Sequence, residues 1–182
     1  MLEQIKIKNV LFLDIETVPI KENFKDLSAP FQKLWEEKTV WQRKDDVSPS
    51  DFYKLKAGVM AEFAKIICIS VGYLFVGKGE NHFRIKSFYG DDEKQILQDF
   101  NSLINKQFST NQHLLCAHNG KEFDFPFLAR RTLINGFKLP KLLDIAGKKP
   151  WEVNHLDTME LWRFGDYKHY TSIKLLSALF GI

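Results

Sequence analysis

A mixed β-sheet flanked by helices, an α/β layered domain, is the fold that these 182 residues predict. Three observations carry the prediction. Residues 10–16 (VLFLDIE) form an almost unbroken apolar, β-branched and aromatic run, as a central strand covered on both faces requires. Residues 66–76 (IICISVGYLFV) and 83–88 read as two strands joined by the turn-forming GKGEN, a hairpin beside the first strand. From residue 93 onward the apolar spacing changes to the helical period, with a short apolar strand, LLCAH at 114–118, set between helices.

The remaining elements follow from local chemistry. Residues 21–62 are richer in charge and hold two of the prolines; Phe31, Leu34, Trp35, Phe52, Leu55 and Met60 are spaced for helices covering one face, so the segment reads as a helical insertion. Asp91 or Asp92 can cap a helix over 93–106, whose Ile96, Leu97, Phe100, Leu103 and Ile104 make an apolar stripe. Asn119-Gly120 turns the chain after the strand at 114–118. A helix over 125–134 follows, with Pro126 in its first turn and Asn135-Gly136 as its stop. Residues 156–160 open a further helix, and Thr171-Ser172 cap a last one over 173–180 that ends at Gly181.

A composition that is 45% hydrophobic, with no repeat or low-complexity stretch, fits one domain over residues 1–182. The net charge of +3 permits a polyanionic partner without requiring one. The N-terminus lacks a signal-peptide pattern and no segment approaches about 20 consecutive apolar residues, so a cytoplasmic location is expected. Cys68 and Cys116 fall in strand-like stretches and read as reduced core thiols.

Asp14 and Glu16 lie two apart in a strand and so project from one face, while Leu13 and Ile15 serve the core. Two like charges so placed call for a cation or for donors; the plainer alternative leaves Glu16 in an exposed turn before Thr17-Val18-Pro19 and pairs Asp14 with a lysine. Asp124, at the junction of strand and helix, can cap that helix or face the D-x-E pair. Three converging carboxylates would suit Mg²⁺ or Mn²⁺, and no Cys/His spacing competes for zinc. Asp157 and Glu160 have the spacing of a capping box, and Asp144 and Asp166 have no motif context. Lys121, Arg130, Arg131, Lys168 and Lys174 are either a solvated face or a track for a phosphate backbone. Neither His118 nor His169 has a Ser or Cys partner in a nucleophile setting.

LFLDIET, followed about a hundred residues later by HNGKEFDFPFL, resembles the first two motifs of the DEDD 3′-5′ exonucleases, in particular the bacterial predicted exonucleases that resemble the proofreading domain of family B DNA polymerases. FAKIICISVGY, YGDDEKQIL and HLDTMELWRFGDYKHYTSIKLLSALFGI extend the likeness along nearly the whole chain. The resemblance implies a ribonuclease-H-like fold and 3′-5′ hydrolysis of single-stranded nucleic acid ends, with DNA favoured over RNA. It implies that Asp14, Glu16 and Asp124 are catalytic and bind two Mg²⁺ or Mn²⁺ ions, which activate a water and stabilise the leaving 3′ oxygen. The backbone at Thr17 and Val18, the side chain of Phe123 and the strand-end Asn119 would hold the terminal nucleotide, though Phe123 also reads as a core aromatic. The family's third motif, Tyr or His and then a fourth carboxylate, would come after Ile182. The expectation for these 182 residues alone is therefore weak or no activity, with a catalytically incomplete nucleic-acid-binding module as the alternative.

Overall fold

The computed structural model describes residues 2–44, 46–77 and 79–182. Strand β1 (Val10–Pro19) is central, flanked by β2 (Ala64–Gly77) and, on its other side, by β4 (Leu114–Ala117). The sheet order is β3-β2-β1-β4-β5, with β3 at Glu80–Tyr89 and β5 at Leu156–Asp157. β1, β2 and β3 are antiparallel neighbours, whereas β4 and β5 run parallel to β1. The sequence-based strands are thus present. Gly77 pairs with Glu80 across the expected hairpin turn, whose Lys78 lies outside the described residues.

Alternation along β1 sorts its side chains by face. Leu11, Leu13 and Ile15 are buried, while Asp14 and Glu16 are exposed on the other side. The buried face packs with Ile69, Val71 and Phe88 of the neighbouring strands and with two helices, α3 (Glu93–Gln107) and α4 (Asp124–Ile134). Asp92, not Asp91, caps α3 by accepting from the N–H groups of Lys94 and Gln95. β1 runs on to Pro19, three residues beyond the predicted stretch, and Glu16 therefore stands in a strand rather than a turn. A register shift between Glu16 and Thr17 marks a bulge against β2.

The segment between β1 and β2 is helical, with α1 at Ala29–Thr39 and α2 at Pro49–Lys56. It builds its own small core from Leu27, Trp35, Tyr53, Ala57 and Phe63, with the Trp35 ring centroid 5.1 Å from that of Tyr53 and 5.0 Å from that of Phe63. Here the sequence-based face needs correction, because Phe31, Leu34 and Leu55 are exposed and Tyr53 takes the interior place. Trp35 and Tyr53 also meet their polar needs, by donating to the carbonyls of Pro49 (2.9 Å) and Lys21 (3.0 Å). Thr17 ties β1 to this unit by donating its hydroxyl to the Gly58 carbonyl at 2.6 Å.

Two further corrections concern the second half. Leu156 and Asp157 form a short strand beside β4, and helix α5 (Thr158–Arg163) begins only after it. Arg131 is no phosphate ligand: it is buried in α4, donating to both carboxylate oxygens of Glu93 and to the Ala61 carbonyl. Glu93 accepts in addition from Ile66 N–H and Asn135. Burial alone would raise the Glu93 carboxyl, but these donors outweigh it and hold the group below the usual carboxylate range. The last helix, α6 (Ile173–Phe180), is capped by Ser172 and closed by Gly181 at φ 70°, as expected. No helix of the described residues is long and apolar enough to cross a membrane.

The Glu93–Arg131 pair generates the first prediction. Arg131→Ala should lower unfolding free energy by about 3–5 kcal/mol, because it leaves a buried carboxylate uncompensated. Urea titration checks it, and a variant as stable as the parent would contradict the role given to the pair.

Candidate active site

Asp14 and Asp124 come near one another where β4 stops. β4 supplies β1 with partners only as far as Phe12 opposite Cys116, and Ile15 N–H lies beyond that ladder. It donates instead to Asp124 Oδ1 at 3.2 Å, a contact spanning 109 positions of sequence. Asp124 is the first residue of α4 and its side chain caps nothing. The helix-cap alternative therefore fails for a physical reason, since its carboxylate is turned toward β1. Asp14 and Glu16 flank Ile15 on the exposed face, and neither takes part in an ion pair among the described residues, so no lysine neutralises Asp14.

Electrostatics records the crowding. The Asp124 carboxyl is pushed up to about 7, chiefly by burial and next by the negative charge of Asp14, with Asp157 adding to it. Among the described residues, no three His, Cys, Asp or Glu side chains are grouped as a metal cage. The donor set nevertheless fits Mg²⁺ or Mn²⁺, which are held by one or two carboxylates together with waters and substrate oxygens rather than by an all-protein cage. The under-compensated negative charge at Asp124 is what such an ion would relieve.

The other predicted residues fall around this point. Val18 pairs with Lys65 in the β1–β2 ladder, and Thr17 with Ile66. Phe123 is half-buried, its ring centroid 5.3 Å from that of Phe127 and packed against the main core, which supports its reading as a core aromatic. Asn119 adopts φ 63°, rare for a side chain other than glycine, and its Oδ1 is buried without a partner. Gly120 admits no side chain, because a Cβ there would stand 2.4 Å from that of Ala117. Lys121 is spent on Glu160 at 2.7 Å, which removes it from the phosphate track and also overturns half of the capping-box reading, since Glu160 does not reach back to its own helix start.

His118 Nε2–H donates to the Thr171 carbonyl at 2.7 Å and its Nδ1 lies 2.9 Å from Thr158 Oγ1, so the ring bridges β4 to the C-terminal segment. The Cys116 thiol is raised to about 11 by burial and then by Asp157, in keeping with an inert core cysteine; Cys68, also free, is only half-buried. A cleft of about 460 Å³ opens at the other end of β4, beside Leu114, Lys141 and Lys148, and none of the acidic site residues lines it.

A five-stranded sheet in the order β3-β2-β1-β4-β5, with carboxylates on the central strand, defines a ribonuclease-H-like domain of the exonuclease type. The chain belongs to the family of predicted 3′-5′ exonucleases related to the exonuclease domain of PolB, whose model matches residues 58–181. That span includes Asn119, Phe123 and Asp124 and begins after Asp14 and Glu16. Among solved structures, the family B DNA polymerase of the hyperthermophilic archaeon Pyrobaculum calidifontis matches with a TM-score of 0.53 and 14% identity, over 95% of this chain and 18% of the polymerase. A product-bound exonuclease I matches at 0.46 and 10% identity, over 95% of this chain and 38% of that one. E. coli exonuclease I in complex with a dT13 oligonucleotide matches at 0.42 and 10%, over 90% and 32%. The chain thus spans well under half the length of each. No curated protein matches it.

The raised Asp124 carboxyl predicts a pH dependence. With the folded value near 7 and the unfolded one near 3.8, the folded state keeps the proton longer, so this group's contribution to stability falls as pH rises from about 4 to 7. In EDTA, Asp124→Asn, whose amide oxygen can still accept from Ile15, should raise Tm more at pH 8 than at pH 5. An equal Tm change at both would contradict the assignment.

Proposed function

We propose that this domain is a divalent-metal-dependent 3′-5′ exonuclease acting on single-stranded nucleic acid ends, with DNA favoured over RNA and a cytoplasmic location. The observation that carries the reading is the seat of Asp124: a buried carboxylate bonded to β1 between Asp14 and Glu16, raised by burial and by its neighbour. In this reading Asp14, Glu16 and Asp124 hold Mg²⁺ or Mn²⁺. When bound, such ions lower the pKa of a water and stabilise the departing 3′ oxygen.

The chain's own residues do the rest. The low-dielectric setting of Asp124 strengthens its attraction to a cation. The bulge after Glu16 sets the backbone of Thr17 and Val18 beside the carboxylates, where it can meet a terminal nucleotide. The half-buried Phe123 offers a stacking surface, and stacking accepts every base. Asn119 supports the strand end from which Asp124 is reached. DNA is favoured because the family is described as related to a DNA polymerase domain.

The second reading is a nucleic-acid-binding module of the same fold without turnover. Digestion of 3′-labelled single-stranded DNA and RNA separates the two. The nuclease reading expects the protein carried on through its natural downstream sequence to remove the 3′ label in Mn²⁺ and not in EDTA, to cut DNA faster than RNA, and to fall to background rates in Asp124→Ala, while these 182 residues alone cut weakly or not at all. Binding of the oligonucleotide by the extended protein with every strand left intact would establish the second reading instead. In calorimetry, Mn²⁺ should bind the wild type more tightly than an Asp14→Ala, Glu16→Ala double variant; equal affinity would sink the ligand assignment.

A further inference from the structure

The start of α5 does more than cap its own helix. Asp157 is buried, and its Oδ1 accepts from Met159 N–H at 2.9 Å, which is all that capping requires. The same Oδ1 accepts from Asn119 N–H at 2.9 Å, and Oδ2 accepts from Lys121 N–H at 3.1 Å. Thr158 adds contacts to His118 and to the Ala117 carbonyl, and Glu160 pairs with Lys121. One helical turn therefore grips the whole path from the end of β4 to Lys121.

That path is one that resists holding its own shape. Asn119 sits at φ 63°, and Gly120 lies against Ala117 and Phe125 with no room for a Cβ. Backbone of this kind persists only where its surroundings over-determine it. Only two residues separate Lys121 from Asp124, so a shift of the turn is passed on to the carboxylate that Ile15 N–H binds.

We infer that Asp157 is a positioning residue for Asp124, its two oxygens fixing the 119–121 turn so that Asp124 stays on Ile15 N–H beside Asp14. The inference rests on the assignment of Asp124 to the metal site. Both oxygens are needed as acceptors, and this makes the role chemically distinct from capping. In Asp157→Asn the remaining oxygen can serve Asn119 and Met159, but the amide nitrogen meets Lys121 N–H donor to donor. In Asp157→Ala all three bonds are lost.

Amide NMR and Mn²⁺ calorimetry on the wild type, Asp157→Asn, Asp157→Ala and Asp124→Ala test the inference. The Ile15 amide is the reporter, because its N–H bonds to Asp124 directly. The expected result for Asp157→Asn is retained exchange protection at Met159, lost protection at Lys121, an Ile15 shift displaced toward its position in Asp124→Ala, and Mn²⁺ affinity lower by about 10–100-fold. A purely structural cap predicts otherwise: an Ile15 shift and Mn²⁺ affinity unchanged from wild type despite lost protection at Lys121 would overturn the inference. If Asp157→Ala does not fold, Asp157→Asn carries the comparison. If the wild type itself binds no Mn²⁺, the metal assignment fails, and the Ile15 shift alone decides whether Asp157 positions Asp124.

Discussion

One hydrogen bond organises the acidic site, that from Ile15 N–H to Asp124 Oδ1. It exists because β4 is four residues long while β1 is ten, so the central strand outruns its parallel neighbour and leaves a backbone donor in need of an acceptor. A carboxylate on the next helix fills the gap. The arrangement is costly, for the charge is buried and sits near those of Asp14 and Asp157, and its proton is held up to about 7 in consequence. A neutral acceptor would satisfy the same N–H at less cost. Local rules broken without a local benefit are the mark of a functional position.

Farther along the same helix lies a second buried charge whose partners are all in place. The Glu93–Arg131–Asn135 network is buried and also complete, with donors from Ile66 and Arg131 and an acceptor at Ala61. It ties α3 and α4 to the start of β2, so the helix that begins with Asp124 is anchored seven residues further along. The insertion keeps its own aromatic core around Trp35 and Tyr53 and leaves the main core undisturbed. At the 119–121 turn a positive φ, a glycine without room and a buried lone Oδ1 occur in adjacent residues.

How much of this was legible depended on how local its cause was. VLFLDIE could be read as a central strand because burial on both faces demands continuous apolarity, and the D-x-E pair followed from period two alone. The α3 stripe and the Ser172 and Gly181 caps were equally local. Leu156–Asp157 was misread as helix because a two-residue parallel strand owes its pairing to β4, about forty positions away, and carries no periodicity. Asp157 and Glu160 matched a capping box in spacing, yet Glu160 found Lys121 and Asp157 took on a distant turn. Arg131 looked like a surface cation because its partner Glu93 is 38 positions away. For Asp124, the residue taken alone reads as a cap and the wider phrase around it as a converging carboxylate, and its side chain accepts from Ile15 N–H, 109 positions away.

The account makes the space beside Asp14 and Asp124 a cation site of hard oxygen ligands. Crystals soaked in Mn²⁺ and recorded with anomalous scattering test this most directly. The account predicts an anomalous peak bonded to carboxylate oxygens of both Asp14 and Asp124, with the Ile15 N–H contact retained. Mn²⁺ bound only elsewhere, or absent while Asp124 keeps its place against β1, would contradict it.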